Sequence, residues 1–141
     1  MEQAWEWYLT WMPDALDCRM VLRAHVGHLL VHQLASELAA ESIKLAEGIR
    51  GPGADKRADQ IVRAALSIPS NIAEACGRGT LPEFRRFLVY ARGSAQELRT
   101  QLEIARRVDP AKQTQIKRME SRVALVIKMI GRLYDHPPRS S

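Results

Sequence analysis

Apolar residues recur at three- and four-residue intervals over most of the chain, the period of a helix that keeps one face dry. The clearest run is Phe84, Leu88, Ala91, Ala95, Leu98, Leu102 and Ala105, in strict four-then-three alternation, the seam of coiled-coil-like packing. Ile116, Met119, Val123, Val126, Ile130 and Leu133 repeat that spacing further on. An earlier stretch, about Asp55 to Cys76, places Ile61, Ala65, Ile68 and Ile72 on one face. Before it, Leu30, Leu34, Leu38, Leu45 and Ile49 stand near helical spacing. Four amphipathic helices are therefore predicted.

The breaks agree with the periods. Gly51-Pro52-Gly53 ends the first helix, whose start lies near Asp14 or Val26, and Gly77-Arg78-Gly79 closes the second. Pro69 removes a backbone donor inside the second helix and predicts a kink there. Thr80-Leu81-Pro82-Glu83 reads as a capping box, with Thr80 at N-cap, Glu83 at N3 and a proline in the first turn. Asp109-Pro110 starts the fourth helix in the same style. Small residues at Ala91, Gly93, Ser94 and Ala95 would let another helix approach the third closely, the stretch around Pro69 being the expected neighbour. Short connections make sequential helices pack antiparallel, so the expected fold is all-α, an antiparallel up-down-up-down four-helix bundle over residues 26–135.

Residues 1–25 read as an aromatic-rich N-terminal extension and residues 136–141 as a disordered tail. All three tryptophans fall within residues 1–12. A helical start would set Trp7, Tyr8 and Trp11 on one side, as a patch for a partner. The plainer alternatives are that the segment folds back on the bundle or that translation begins at Met12 or Met20.

Composition narrows the classes. A chain of 141 residues with 46% hydrophobic content makes one domain with a real core, and aromatic residues at 6% are too sparse for a sheet protein. Cys18 and Cys76 are too few for a disulfide framework and form no C-x-x-C pair, which suits a reducing compartment. No apolar run approaches the roughly 18 residues of a membrane span. A cytosolic location is expected.

Charge is polarised along the chain. Residues 1–77 hold 7 basic and 10 acidic side chains, whereas residues 78–141 hold 14 basic and 6 acidic. Most of the bases are arginine, which suits bidentate contacts to phosphate and carboxylate. Arg85, Arg92, Arg99 and Arg106 recur every seven residues, each directly after a seam residue, and so form one stripe on the third helix. Such flanking positions pair with carboxylates of neighbouring helices or subunits, here Glu37, Glu41 or Glu74, or they form a phosphate-contacting ridge. With Arg78, Arg86, Arg107, Lys112, Lys117, Arg118 and Arg122 the bases outnumber what internal pairing can absorb, so the ridge is expected to meet nucleic acid. No aromatic stacking motif accompanies it, which favours backbone or shape recognition over base reading.

Other constellations carry less chemistry. Asn71, Glu74 and Arg78 share a helix face beside Ser67, Pro69 and Ser70. A general base at Glu74 is conceivable, but hydroxyl and amide groups around a proline, with a Glu74–Arg78 pair, account for them structurally. Glu97 is read as a partner for an arginine of a neighbouring helix or subunit. His25, His28 and His32 share one side of the first helix, yet one helix rarely completes a metal site, and no metal or cofactor is expected. Cys76 is not placed to form a thiolate. No catalytic constellation emerges.

The stretch Arg63-Ala-Ala-Leu-Ser-Ile-Pro-Ser-Asn-Ile-Ala-Glu74, followed by Gly77-Arg78, resembles the signature of the four-helix bundle family first described as large-subunit rRNA intervening-sequence proteins. Glu83-Phe84 through Leu88, Ala91-Arg-Gly-Ser-Ala-Gln-Glu-Leu98 and Thr100-Gln-Leu102 resemble that family's third helix, and the likeness covers roughly Leu29 to Tyr134. It implies an antiparallel bundle that assembles as a homopentameric ring, with association with ribosomal RNA suggested by gene location. It gives Ser67, Pro69, Asn71, Glu74, Gly93, Ser94 and Glu97 as motif positions of structural role. A related branch comprises basic pentameric accessory proteins of diversity-generating retroelements, which bind a reverse transcriptase and nucleic acid. The chain departs from the pattern at His32, where an aromatic is usual, at Ala75-Cys76, and at Arg99, which replaces a glutamate and lengthens the basic stripe. The expected function is a non-enzymatic, oligomeric scaffold that binds nucleic acid, RNA above DNA, through its arginine-rich face. The alternative is a protein-interaction adaptor such as a reverse transcriptase accessory subunit.

Overall fold

The four periodicities become four helices: α1 (Leu30–Glu47), α2 (Ala54–Gly77), α3 (Leu81–Val108) and α4 (Gln113–Asp135), with a 3-10 turn at Pro110–Lys112 before the last. They are seen in a computed structural model that describes residues 29–137, among which there is no strand. The extension 1–25, both proposed starts of the first helix and the tail beyond Pro137 lie outside the described residues.

The seams form the core. All seven seam residues of α3 are buried, as are Ile61, Ala65, Ile68 and Ile72 of α2 and Ile116, Met119, Val123, Val126 and Ile130 of α4. Each large aliphatic side chain fully removed from water contributes about 1.5–3 kcal/mol. The inward face of α1 differs from expectation. Leu38 and Leu45 are buried, but Leu30, Leu34 and Ile49 pack only on the flank, because Val31, Ala35, Ala39, Ser42 and Ala46 occupy the inward face. Small residues there keep α1 close to its neighbours and leave Leu30, Leu34 and Ile49 on the flank. The fully buried Ser42 hydroxyl donates to the Leu38 carbonyl at 2.7 Å, so its polar group is not stranded.

Contacts between helices fix their directions. Ser67 meets Ser94 while Arg78 lies over Phe87, so α2 and α3 run oppositely. Arg85 reaches Tyr134 and Arg106 reaches Glu120, which makes α3 and α4 antiparallel. Lys112 reaches Gly48 and Arg122 reaches Glu41, so α4 returns alongside α1 and closes the ring of helices.

The ends are held by named groups. Gly51 and Gly53 adopt positive φ (93° and 68°), conformations that glycine enters without steric cost, and they turn the chain between α1 and α2. The Arg57 guanidinium donates to the carbonyls of Arg50 and Pro52 at 2.9 and 3.3 Å. The Thr80 hydroxyl accepts from the Glu83 N–H at 3.4 Å, but the Glu83 carboxylate pairs with Arg86 at 3.2 Å, so only half of the capping box is used. Asp109 accepts from the Ala111 N–H at 3.2 Å and opens the 3-10 turn, so the α-helix begins at Gln113 and not at Pro110. Despite Pro69, α2 runs unbroken from Ala54 to Gly77. Around the proline, the Ser70 hydroxyl donates to the Leu66 carbonyl and the Asn71 amide to the Ser67 carbonyl, both at 2.8 Å.

Candidate nucleic-acid interface

Because its seam points inward, α3 must carry Arg85, Arg92, Arg99 and Arg106 along the flank beside α4. The structure divides this stripe in two. At one end, Arg85 donates to the Tyr134 carbonyl at 3.1 Å and lies 5.1 Å from the centre of its ring. At the other, Arg106 donates to the Glu120 carboxylate at 3.1 Å in a half-buried pair. Between them Arg92 and Arg99 are exposed and have no partner among the described residues. The cause is register: α4 presents Glu120, Ile127 and Tyr134 along this flank at seven-residue steps, and residues 121–134 contain no acid.

The other bases sort in the same way. Arg78 pairs with Glu74, and Arg107 pairs with Glu103 at 2.8 Å, each one turn along its own helix. Arg122 crosses to Glu41 of α1 at 2.6 Å. The Lys112 ammonium donates to the Gly48 carbonyl at 2.6 Å, a positive charge at the C-terminal end of α1 where the helix dipole favours one. Lys117 and Arg118 are exposed and without a partner among the described residues, Lys117 on the α3 side of α4. The carboxylates expected to take up the stripe do not: Glu41 holds Arg122, Glu74 holds Arg78, and Glu37 is exposed. The stripe faces α4, whereas Glu37 and Glu41 stand on α1 and Glu74 on α2.

The motif residues gather where α2 meets α3. The Ser67 and Ser94 hydroxyls are 2.8 Å apart, and the Asn71 amide donates to the Ser67 hydroxyl at 2.9 Å, so these three cross-link the two helices near Pro69. Ala91 and Ala95 are fully buried at this approach. Gly93 does not belong to it: it is exposed, and a Cβ there would meet nothing within 4 Å. Glu97 is exposed and has no partner among the described residues.

One grouping has no counterpart in the sequence pattern, which predicts no stacked aromatics beside the basic patch. Arg78 lies 4.7 Å from the Phe87 ring centre, Arg86 lies 5.3 Å from Phe87 and 6.0 Å from Tyr90, and the two rings meet edge-on at 5.5 Å. Tyr90 is 49% exposed, and Ile104 and Val108 are also exposed further along α3. The i, i+3 and i, i+4 spacings of Arg86, Phe87 and Tyr90 are the local signal of this grouping. Arg78 arrives from the preceding helix, so its part emerges only in three dimensions.

Two residues bear on reactivity. Burial pushes the Cys76 thiol up to about 11, which keeps it protonated at neutral pH. Burial lowers the pKa of His32. His25, His28 and Cys18 lie outside the described residues, and among the described residues no three metal-ligating side chains converge. No described helix is long and apolar enough to cross a membrane. At the loop end of the bundle, a cleft of about 260 Å³ is lined by Ile49, Arg50, Arg57, Val108 and Lys112 among others. Two of its cations, Arg57 and Lys112, are already engaged with backbone carbonyls.

A family model described as 23S rRNA-intervening sequence protein matches residues 27–132. No curated protein matches the chain.

Proposed function

The chain belongs to the 23S rRNA-intervening sequence protein family, and from that premise we propose that it is a non-enzymatic, self-associating scaffold that binds nucleic acid, RNA above DNA, through the α3–α4 face. One observation carries the reading: Arg92 and Arg99 are exposed, lack carboxylate partners and stand beside a fourteen-residue stretch of α4 without acid. Unpaired guanidinium groups on a rigid helix meet phosphate oxygens at little cost in reorganisation, and binding releases condensed counterions. Lys117 adds charge on this face and Arg118 adds it next to Arg122 on the flank toward α1, whereas Arg85, Arg106, Lys112 and Arg122 serve chiefly to hold the bundle together. In an assembly of identical chains, the homopentamer that the family resemblance implies, weak contacts on each face would sum through avidity.

The Arg78–Phe87–Arg86–Tyr90 cluster favours a second reading, in which the chain is a protein-interaction adaptor such as a reverse transcriptase accessory subunit. Exposed tyrosine and arginine are the residue types that dominate protein-protein hot spots. Light-scattering mass, measured beside titrations with fluorescent single- and double-stranded RNA and DNA at low and moderate salt, separates the two readings. A mass several times 15.9 kDa with salt-sensitive RNA binding is the expected result. The same mass without binding at low salt would overturn the nucleic-acid reading in favour of the adaptor.

A further inference from the structure

Residues 1–18 contain Glu2, Glu6, Asp14 and Asp17, all three tryptophans and Tyr8, and no Lys or Arg. The α3–α4 face has the complementary composition. Arg92 and Arg99 rise unpartnered from α3, and Val89 beside them is 40% exposed. Across from them α4 offers Ala124, Ile127 and Gly131, all half-buried, with open space where a Gly131 Cβ would stand. The α4 side of this face has no carboxylate, since residues 121–134 contain none, and on α3 Glu97 stands on the opposite flank while Glu103, one turn from Arg99, is taken up by Arg107. The result is an apolar strip edged by positive charge, bounded by Arg85–Tyr134 at one end and Arg106–Glu120 at the other.

We propose that this strip is the docking site of residues 1–18 of the same chain, with their carboxylates on Arg92 and Arg99 and their aromatic rings over Ile127 and Gly131. Position favours it. Leu29 is buried at the end of the bundle where α1 begins, and α4, antiparallel to α1, finishes at that end. The intervening residues 19–28 span up to about 33 Å at about 3.3 Å each, against a helix diameter of about 10–12 Å, so the segment reaches over α4 with length to spare. Aromatic burial and the charge pairs hold the segment together, and loss of the pairs leaves the aromatic contacts too weak to keep it docked. One consequence rests on the nucleic-acid reading above: the segment imitates a polyanion and competes with RNA for the same two arginines.

The protein carries its own reporter, since its tryptophans all lie within residues 1–12. In the full chain their fluorescence should be blue-shifted and shielded from acrylamide. Arg92→Glu with Arg99→Glu should move the emission to the red and raise quenching, while far-UV circular dichroism is unchanged. Neutralising the segment (Glu2→Gln, Glu6→Gln, Asp14→Asn and Asp17→Asn), which leaves every described residue intact, should do the same. Emission and quenching unmoved by either variant overturn the proposal, and so does a response to only one, because the docking needs both sides. The neutralised segment should also raise affinity for single-stranded RNA. A full fluorescence response with no RNA binding by any variant keeps the docking site and removes the nucleic-acid reading.

Discussion

Arg92 and Arg106 occupy equivalent positions on α3 and differ in what α4 sets beside them. Arg106 has Glu120, with both side chains about three-quarters or more covered, and Arg92 has no partner among the described residues. Arg106→Gln should therefore lower stability by about 0.2–1 kcal/mol, the range of a partly exposed pair. Arg92→Gln or Arg99→Gln should stay within about 0.5 kcal/mol of wild type, as surface changes without partners do. Urea unfolding of the three variants checks this ordering. His32 gives a pH dependence of known sign. Its folded pKa lies below the ordinary histidine value of 6.5 because burial disfavours the cation. The unfolded chain thus takes up a proton first as pH falls, so the contribution of His32 is fully present above 6.5, falls below it and levels out under the folded pKa. Unfolding measured from pH 7.5 to 5 should show that loss in wild type and a shallower one in His32→Phe.

At the scale of the helix, the α3 seam should dominate stability. Leu98 is fully buried at the middle of that seam, and Leu98→Ala should cost about 2–5 kcal/mol, read as a lower urea midpoint at unchanged slope. Gly93 is the opposite case, exposed in mid-helix with open space around it. Gly93→Ala should stabilise the fold by about 0.5–1 kcal/mol, while a fall in light-scattering mass in the same variant would place another chain's backbone against this position. The helices themselves were legible because a four-then-three repeat of apolar residues admits one register, and α2, α3 and α4 bury the residues the repeat picks out except Leu133 near the end of α4, which is only half-buried. In α1 the repeat picked out Leu38 and Leu45 correctly but not Leu30, Leu34 and Ile49, since the rest of the inward face is built from Val31, Ala35, Ala39, Ser42 and Ala46, mostly small residues that carry little periodic signal. The arginine stripe was legible as a stripe, but the division between its paired ends and unpaired middle depends on Glu120, Ile127 and Tyr134 of a helix whose register against α3 no local pattern states.

On the scale of the whole molecule, charge is segregated by sequence and then again by folding. The second half of the chain carries the excess of bases, and packing uses most of them on carbonyls, carboxylates and rings. Of the bases left over, Arg92, Arg99 and Lys117 stand together on the α3–α4 face, where a polyanion would gain from them. The most direct test is the slope of log affinity against log salt for RNA binding, compared between wild type and the Arg92→Gln, Arg99→Gln double variant at matched oligomer mass. Removing one arginine–phosphate pairing should flatten the slope by about 1, so the double variant should be shallower by about 2 and bind more weakly at every salt concentration. Equal slopes and equal affinities would show that these two arginines do not meet phosphates, and would contradict the function proposed for this face.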